Sequence, residues 1–557
     1  MKRNISLILA IILVICLFAG CGTGSSSSGQ AAEVTEEPAT GTTSAAEPAE
    51  SGAEDTSEEP AEVVEESYFP LEETGSLSMW IVQGSIDPEE GVLWKTIQDE
   101  FNLDISFMVA NQMNAQESYA TVMAGGDLPD LFMKIGAMYP GGIAAALDDE
   151  VVYQLNDYID QWMPNYKAVI ASNEEYSKNT HLDDGRIGSI YALHKEGYTV
   201  PMGLAIRKDW LDDLGMDLPR TYDDYYNVLT AFKTEKGADS AMILEATGVF
   251  QGNYMVAGYG VAGSNVAQRG NYPYSVIDGE VVFGPIQEGF RDYLTMMAKW
   301  YSEGLIYKDF NTQDMSTPKT LYTNGRTGVY ASFLSILGNF DSMMEGGVTA
   351  QTWASYDPVL KEGDVNHLRI TTDLVEGDGS AWGITTCCED VELACRFLDW
   401  FYSDEGRLHA NYGYEGETFH YEGDKPVLED FVLHNPDGLQ TNQSLSLYAT
   451  NLPIGVIDWE RLTPMFGDAQ LAADAIWKTA DASQVYPANI VLTTDESTEF
   501  TTLYNDISTY LNESVLGFIM GEKDLSEFDE FVAKIEDMNI ARCTEIRQAA
   551  YDRYASK

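Results

Sequence analysis

The 557-residue chain holds 89 Asp and Glu against 32 Lys and Arg, a net charge of −57, and is 44% hydrophobic. So acidic a surface lacks the basic footprint that nucleic acid or an anionic polymer requires, which argues against both as ligands. The length is too great for one core and suits two lobes of ordinary size.

Met1-Lys2-Arg3-Asn4 is a short basic head, and the apolar run that follows from Ile5 to Ala19 is broken only by Ser6. That run falls short of the ~20 residues that span a bilayer and suits the core of a secretory signal. It closes on Phe18-Ala19-Gly20-Cys21, which resembles a lipobox with Phe18 where that motif usually has Leu. Residues 1–20 are therefore expected as a lipoprotein signal peptide, with Cys21 carrying the lipid. From Gly22 to Thr74 there are fourteen acidic residues and no Lys or Arg, among Ser, Thr, Ala, Pro and Gly. Such a stretch buries too little apolar surface to offset its ordering entropy. Residues 21–74 are expected as a disordered acidic tether that holds a folded body away from a membrane.

Leu77–Val82 reads as a strand, Pro88 opens a helix through Phe101, and Leu103–Phe107 alternates as a second strand. Glu117–Ala124 is helical, Gly125-Gly126 breaks it, and Asp130-Leu131-Phe132 starts a third strand. Alternation of this kind predicts βαβ units and a largely parallel sheet. A second set begins at Leu204-Ala205-Ile206, with helices at Trp210–Leu214, Thr221–Phe232 and Phe290–Glu303. Further helical patterns cover Val391–Tyr402, Phe500–Gly517 and Phe528–Tyr554.

Cys387, Cys388, Cys395 and Cys543 have neither zinc-ligand spacing nor His partners and read as buried free thiols. Gly258-Tyr259-Gly260-Val261-Ala262-Gly263 has dinucleotide-loop spacing. No helix pattern follows it, so it reads as a coincidence within a glycine-rich loop.

Six segments, in order, carry a family resemblance: Ala124–Asp130 with its Gly-Asp-Leu-Pro-Asp turn, Ile206–Leu211 running on through Leu214-Gly215 and Pro219–Thr221, Trp300–Ile306, Asn324–Gly328, Asn411–Gly416 and Gln548–Tyr554. Together they resemble the extracellular solute-binding proteins of ABC importers, most closely the large carbohydrate-type lipoprotein branch common in Firmicutes. The resemblance implies an α/β, two-lobed periplasmic-binding-protein-like fold of type II, with hinge-linked lobes each built on a mixed sheet flanked by helices. It places residues 75–200 and about 370–411 in the N-terminal lobe, and 201–369 and 412–557 in the C-terminal lobe. Crossings are expected near Tyr198–Leu204, Ile370 and Tyr412. Many members of the group carry a calcium loop after the helix corresponding to Thr221–Phe232. Here Lys233–Ser240 lacks the alternating oxygen ligands calcium needs, so no metal and no cofactor is expected.

The implied role is that of a monomeric receptor, lipid-anchored on the outer face of the cytoplasmic membrane, which delivers a sugar to ABC permease subunits and does no chemistry on it. Sugar rings offer an apolar face for Trp and Tyr and a hydroxyl rim for polar side chains. Candidates at loops and strand ends are Trp80 with Gln83, Asp127, Tyr254, Trp382, Tyr412 and Glu415. Set against this are the 10 Trp and 32 Tyr of the chain, most of which must be core or ordinary surface. The alternatives are a receptor for a peptide or polyamine, and a secreted glycosidase using two cleft carboxylates with Glu415 as acid.

Overall fold

The computed structural model describes residues 68–82, 86–111, 114–195, 202–243, 254–263, 273–312, 317–347, 349–369, 374–439, 441–450 and 452–557. In chain order the strands are β1 (Gly75–Val82), β2 (Leu103–Ala110), β3 (Leu131–Met133), β4 (Ile190–Tyr191), β5 (Leu193–His194), β6 (Met202–Arg207) and β7 (Tyr274–Ile277). They continue as β8 (Glu280–Phe283), β9 (Val329–Phe333), β10 (Thr352–Ala354), β11 (Ala381–Ile384), β12 (Phe419–Glu422), β13 (Lys425–Leu428) and β14 (Val456–Ile457).

The first sheet has the order β2-β1-β3-β11-β4. β1 runs parallel to β2 and β3, and β11 runs antiparallel to β3 and β4. Period-two alternation in β1 serves both faces. Leu77, Met79 and Ile81 enter one core with Leu93, Trp94 and Ile97 of the helix Val92–Phe101 and Leu393 and Phe397 of Val391–Trp400. Trp80 and Val82 enter another with Tyr119, Phe132 and Ile143. The second sheet, β10-β6-β9, is antiparallel, with a single parallel bridge from Met242 to Val329. One of its faces meets the aromatic stripe Phe290, Tyr293, Met297 and Trp300 together with Tyr504, Ile507 and Leu511; the other meets Trp477.

Local rules set the element ends. Thr221 and Asp224 form a capping box on Tyr222–Glu235, and Gly215 ends Lys208–Leu214 in the left-handed conformation. The single helix expected from Pro88 divides into a 3-10 turn, Pro88–Glu90, and Val92–Phe101, because Gly91 is extended between them. The long helix expected to Tyr554 divides at Asn539, whose φ of 70° separates Phe528–Asp537 from Ile540–Ala555.

Neighbouring strands change sheet between His194 and Met202; the expected crossings at Tyr198 and Ile370 themselves lie outside the described residues. The third return differs from expectation. Leu452, Ile454 and Val456 pack in the first core, and β14 pairs with β5, so the chain stays with the first sheet well past Tyr412. It rejoins the second core only with the helix Asp468–Trp477. Leu452, Ile454 and Val456 bury against the first core, which keeps this stretch beside β5.

In the stretch Lys233–Ser240, Lys236 pairs with Asp213 at 2.8 Å and Asp239 receives the Arg326 guanidinium at 2.8 and 2.9 Å. Gly258 belongs to a 3-10 turn, where a Cβ would stand 2.2 Å from the Pro358 carbonyl oxygen, so close backbone approach explains that glycine. Cys388, Cys395 and Cys543 are buried thiols, whereas Cys387 is exposed, contrary to expectation, because it lies in the turn ahead of Val391–Trp400.

Candidate functional site: a polar cavity between the two cores

β1 and β3 are parallel, so their carboxyl ends lie side by side, and antiparallel β11 begins at that same edge. Lys134 follows β3 directly in a left-handed conformation (φ 62°), which is uncommon for a side-chain-bearing residue and is held by its N–H donating to the Ala381 carbonyl at 2.8 Å. The turn Glu376-Gly377-Asp378-Gly379 leads into β11. Opposite it, the segment Pro487–Leu492, Phe500 and Arg547 come from the second core. Between them is a cavity of about 880 Å³.

Its polar groups are held firmly. The Tyr191 hydroxyl donates to Asp378 at 3.0 Å, and burial raises the Asp378 carboxyl above the usual carboxylate range despite that bond. Gly136 leaves room for this carboxylate, since a Cβ there would lie 2.7 Å from Asp378 Cγ. Trp459 Nε1 donates to His194 Nδ1 at 2.6 Å, which leaves the imidazole proton on Nε2, 2.5 Å from Glu376. Burial lowers the Lys134 ammonium pKa, and the nearby Glu376 opposes that shift. Asn489 reaches across from the second core and donates to the Val375 carbonyl at 3.1 Å. At the rim, Arg553 bonds both Asp183 (2.7 Å) and Glu496 (2.6 and 2.8 Å), while Lys557 pairs with Asp183. The arrangement can surround a neutral or weakly charged polar ligand with donors and acceptors from both sides.

None of the described residues expected to hold ligand lines this cavity. Trp80 is 1% exposed, stacks on Phe132 and donates to Ser118. Trp382 is fully buried and donates to the Pro453 carbonyl at 2.7 Å. Both stand on inner strands of a sheet covered on both faces, so neither ring has a side free for a sugar. Tyr254 and Tyr412 are core residues, the latter bonding Asp458 at 3.3 Å. Asp127 and Glu415 are exposed, the latter in an isolated bridge to Phe419, and neither lines the cavity. Gln83 and Cys21 lie outside the described residues. The cavity is lined instead by residues not expected from sequence, among them Lys134, Tyr191, Glu376, Asp378 and Asn489. The available signal was the glycine-flanked acidic turn just before Trp382: the right loop, but not the residue that faces the cavity.

The model of the family described as bacterial extracellular solute-binding protein matches residues 66–408. The chain belongs to that family. Its members bind solutes and are not enzymes, which removes the glycosidase reading. The chain is 23% identical over 534 residues to the fructooligosaccharide ABC transporter substrate-binding protein FusA of Streptococcus pneumoniae, covering 90% of this chain and 95% of FusA. It is 24% identical over 420 residues to lipoprotein LipO of Bacillus subtilis, covering 75% and 80%. A solved HMO-binding, ABC-transporter-associated solute-binding protein from Bifidobacterium longum infantis superposes with a TM-score of 0.72 at 17% identity, covering 87% of this chain and all of that one. The likeness to that structure shows the periplasmic-binding-protein-like α/β fold.

Proposed function

We propose that the protein captures an oligosaccharide in the cavity between its two cores and hands it to the permease of an ABC importer. The observation that carries this reading is a cavity of about 880 Å³ with polar groups supplied by both cores. That volume lies near the top of the ~300–1,000 Å³ range of small-molecule sites and leaves room for more than one sugar ring. The relatives named for oligosaccharide transport support the ligand class. Lys134, Tyr191, Asp378 and Asn489 replace the earlier candidates as the groups that bond sugar hydroxyls. Ligand bridging the two cores favours a closed arrangement over an open one, which is the signal a permease reads. The lipobox-like Cys21, with a relative named as a lipoprotein, supports anchorage on the outer face of the cytoplasmic membrane by way of the acidic tether.

A thermal-shift screen of the protein against neutral and acidic oligosaccharides, peptides and polyamines tests this. A ligand present at a hundred times its Kd adds about 2.7 kcal/mol of stability, a readable rise in Tm. The reading predicts a saturable rise with one glycan class and no released reducing ends. A response to a peptide or polyamine alone would contradict it.

A further inference from the structure

Glu376 is also part of the wall of a second, smaller pocket of about 120 Å³, which it shares with Asn411, Thr450, Trp459 and Arg461. The two pockets share that one wall residue, and the smaller admits a small substituent but not a sugar ring. Arg461 is only 6% exposed. Its Nη1 donates to the Asn411 carbonyl and side-chain oxygens at 3.1 and 3.2 Å, and its Nε has no hydrogen-bond partner. Among the described residues no carboxylate stands within ion-pair distance of it, although the more distant Asp458 charge partly offsets the cost of burial. Asp458, three residues earlier, is held by Lys195 at 3.2 Å and the Tyr412 hydroxyl at 3.3 Å.

That is unusual in a chain with 89 acidic and 32 basic side chains. Two other buried guanidiniums here have a carboxylate: Arg369 has Asp357 at 2.6 Å, and Arg207 has Asp209 at 2.5 Å. A buried charge is normally paired, and one left unpaired beside a pocket points to a ligand group of opposite charge. Thr450 adds a hydroxyl whose oxygen accepts from the Leu452 N–H at 3.0 Å, leaving its proton to donate. Glu376, the one acid in the pocket wall, is occupied by His194 Nε2. Lys134, in the larger cavity, is a second cation with no ion-pair partner among the described residues.

We infer that the ligand is an acidic oligosaccharide, with a uronic-acid carboxylate received by Arg461 in the smaller pocket and its rings in the larger cavity. The planar guanidinium matches a carboxylate's two oxygens as no neutral side chain does. The overall charge of −57 still weighs against a long polyanion. One carboxylate at a local cation is a different requirement, and it favours short acidic sugars. This inference rests on the oligosaccharide reading of the larger cavity.

Calorimetric titration with short oligomers of galacturonate, glucuronate and mannuronate, each beside its methyl ester, tests it on the unaltered protein. One acid is expected to bind at least about tenfold more tightly than its ester, as loss of a buried charge-assisted pair implies. Arg461→Gln is expected to bring the affinity for the acid down to that for its ester. Esters or neutral sugars binding as well as the acids would overturn the inference and leave the oligosaccharide reading standing. Binding of no glycan, acidic or neutral, would overturn both. Should Arg461→Gln fold poorly, the acid–ester comparison decides alone.

Discussion

Two tryptophans show how far single residues can be read. Indoles stack on sugars, and Trp80 and Trp382 both fall near strand ends, yet both are in the core. Sequence gives a strand's alternation but not whether its second face is covered, and here helices cover both faces. Trp382 is therefore a stability residue, its Nε1–H satisfying the Pro453 carbonyl at 2.7 Å. Trp382→Phe is expected to lower unfolding stability by about 1–3 kcal/mol, the cost of leaving a buried acceptor unpaired, with sugar affinity unchanged. Denaturant midpoints and a titration check both halves, and a tenfold loss of affinity at unchanged stability would restore Trp382 to the site. Lys134 could not have been found this way: it follows an apolar strand, and only the left-handed turn after Met133 directs it to the cavity. Arg461 was equally hidden, since its lack of a carboxylate partner is visible only in three dimensions.

At the scale of elements, periodicity served well wherever a helix had a clean stripe, as at Glu288–Ser302 and Val391–Trp400. It failed where a single residue broke the pattern, as at Gly91 and Asn539, and where a short apolar segment chose its sheet by long-range pairing, as at β14. The helices Thr494–Met520 and Ile540–Ala555 carry the rim contact, in which Arg553 joins Glu496 on one side to Asp183 of the first-sheet region on the other. Burial acts against the Glu496 charge, but the Arg553 fork and the Thr493 N–H outweigh it and hold its carboxyl below the usual range. A depressed carboxyl stabilises the folded contact above the ordinary Glu value and loses that contribution as pH falls through the lower, folded value. The rim is thus expected to hold at neutral pH and to loosen only in acid, below about pH 4. Small-angle scattering should show a constant radius of gyration from pH 7 to 5 and expansion only below about pH 4. Expansion already at pH 6 would contradict the assignment.

For the whole molecule, the two-sheet α/β body and its family were legible from motif order, since six short matches at consistent spacing leave few other architectures. The site was not legible, because it is assembled from a β3–helix turn, a loop near residue 376 and a segment near residue 489, which are distant in sequence. In the proposed function, ligand lies between the two cores and touches both. The most direct test is a titration of the glycan found by thermal shift into Asp378→Ala, Asn489→Ala and the double variant. Each single change is expected to weaken binding by about tenfold through lost hydrogen bonds to sugar, and to lower Tm in the absence of ligand as well, since Asp378 also accepts from Tyr191 and Asn489 also donates to the Val375 carbonyl. The double variant should lose binding altogether. An unchanged Kd in the double variant would contradict the claim and place the ligand elsewhere.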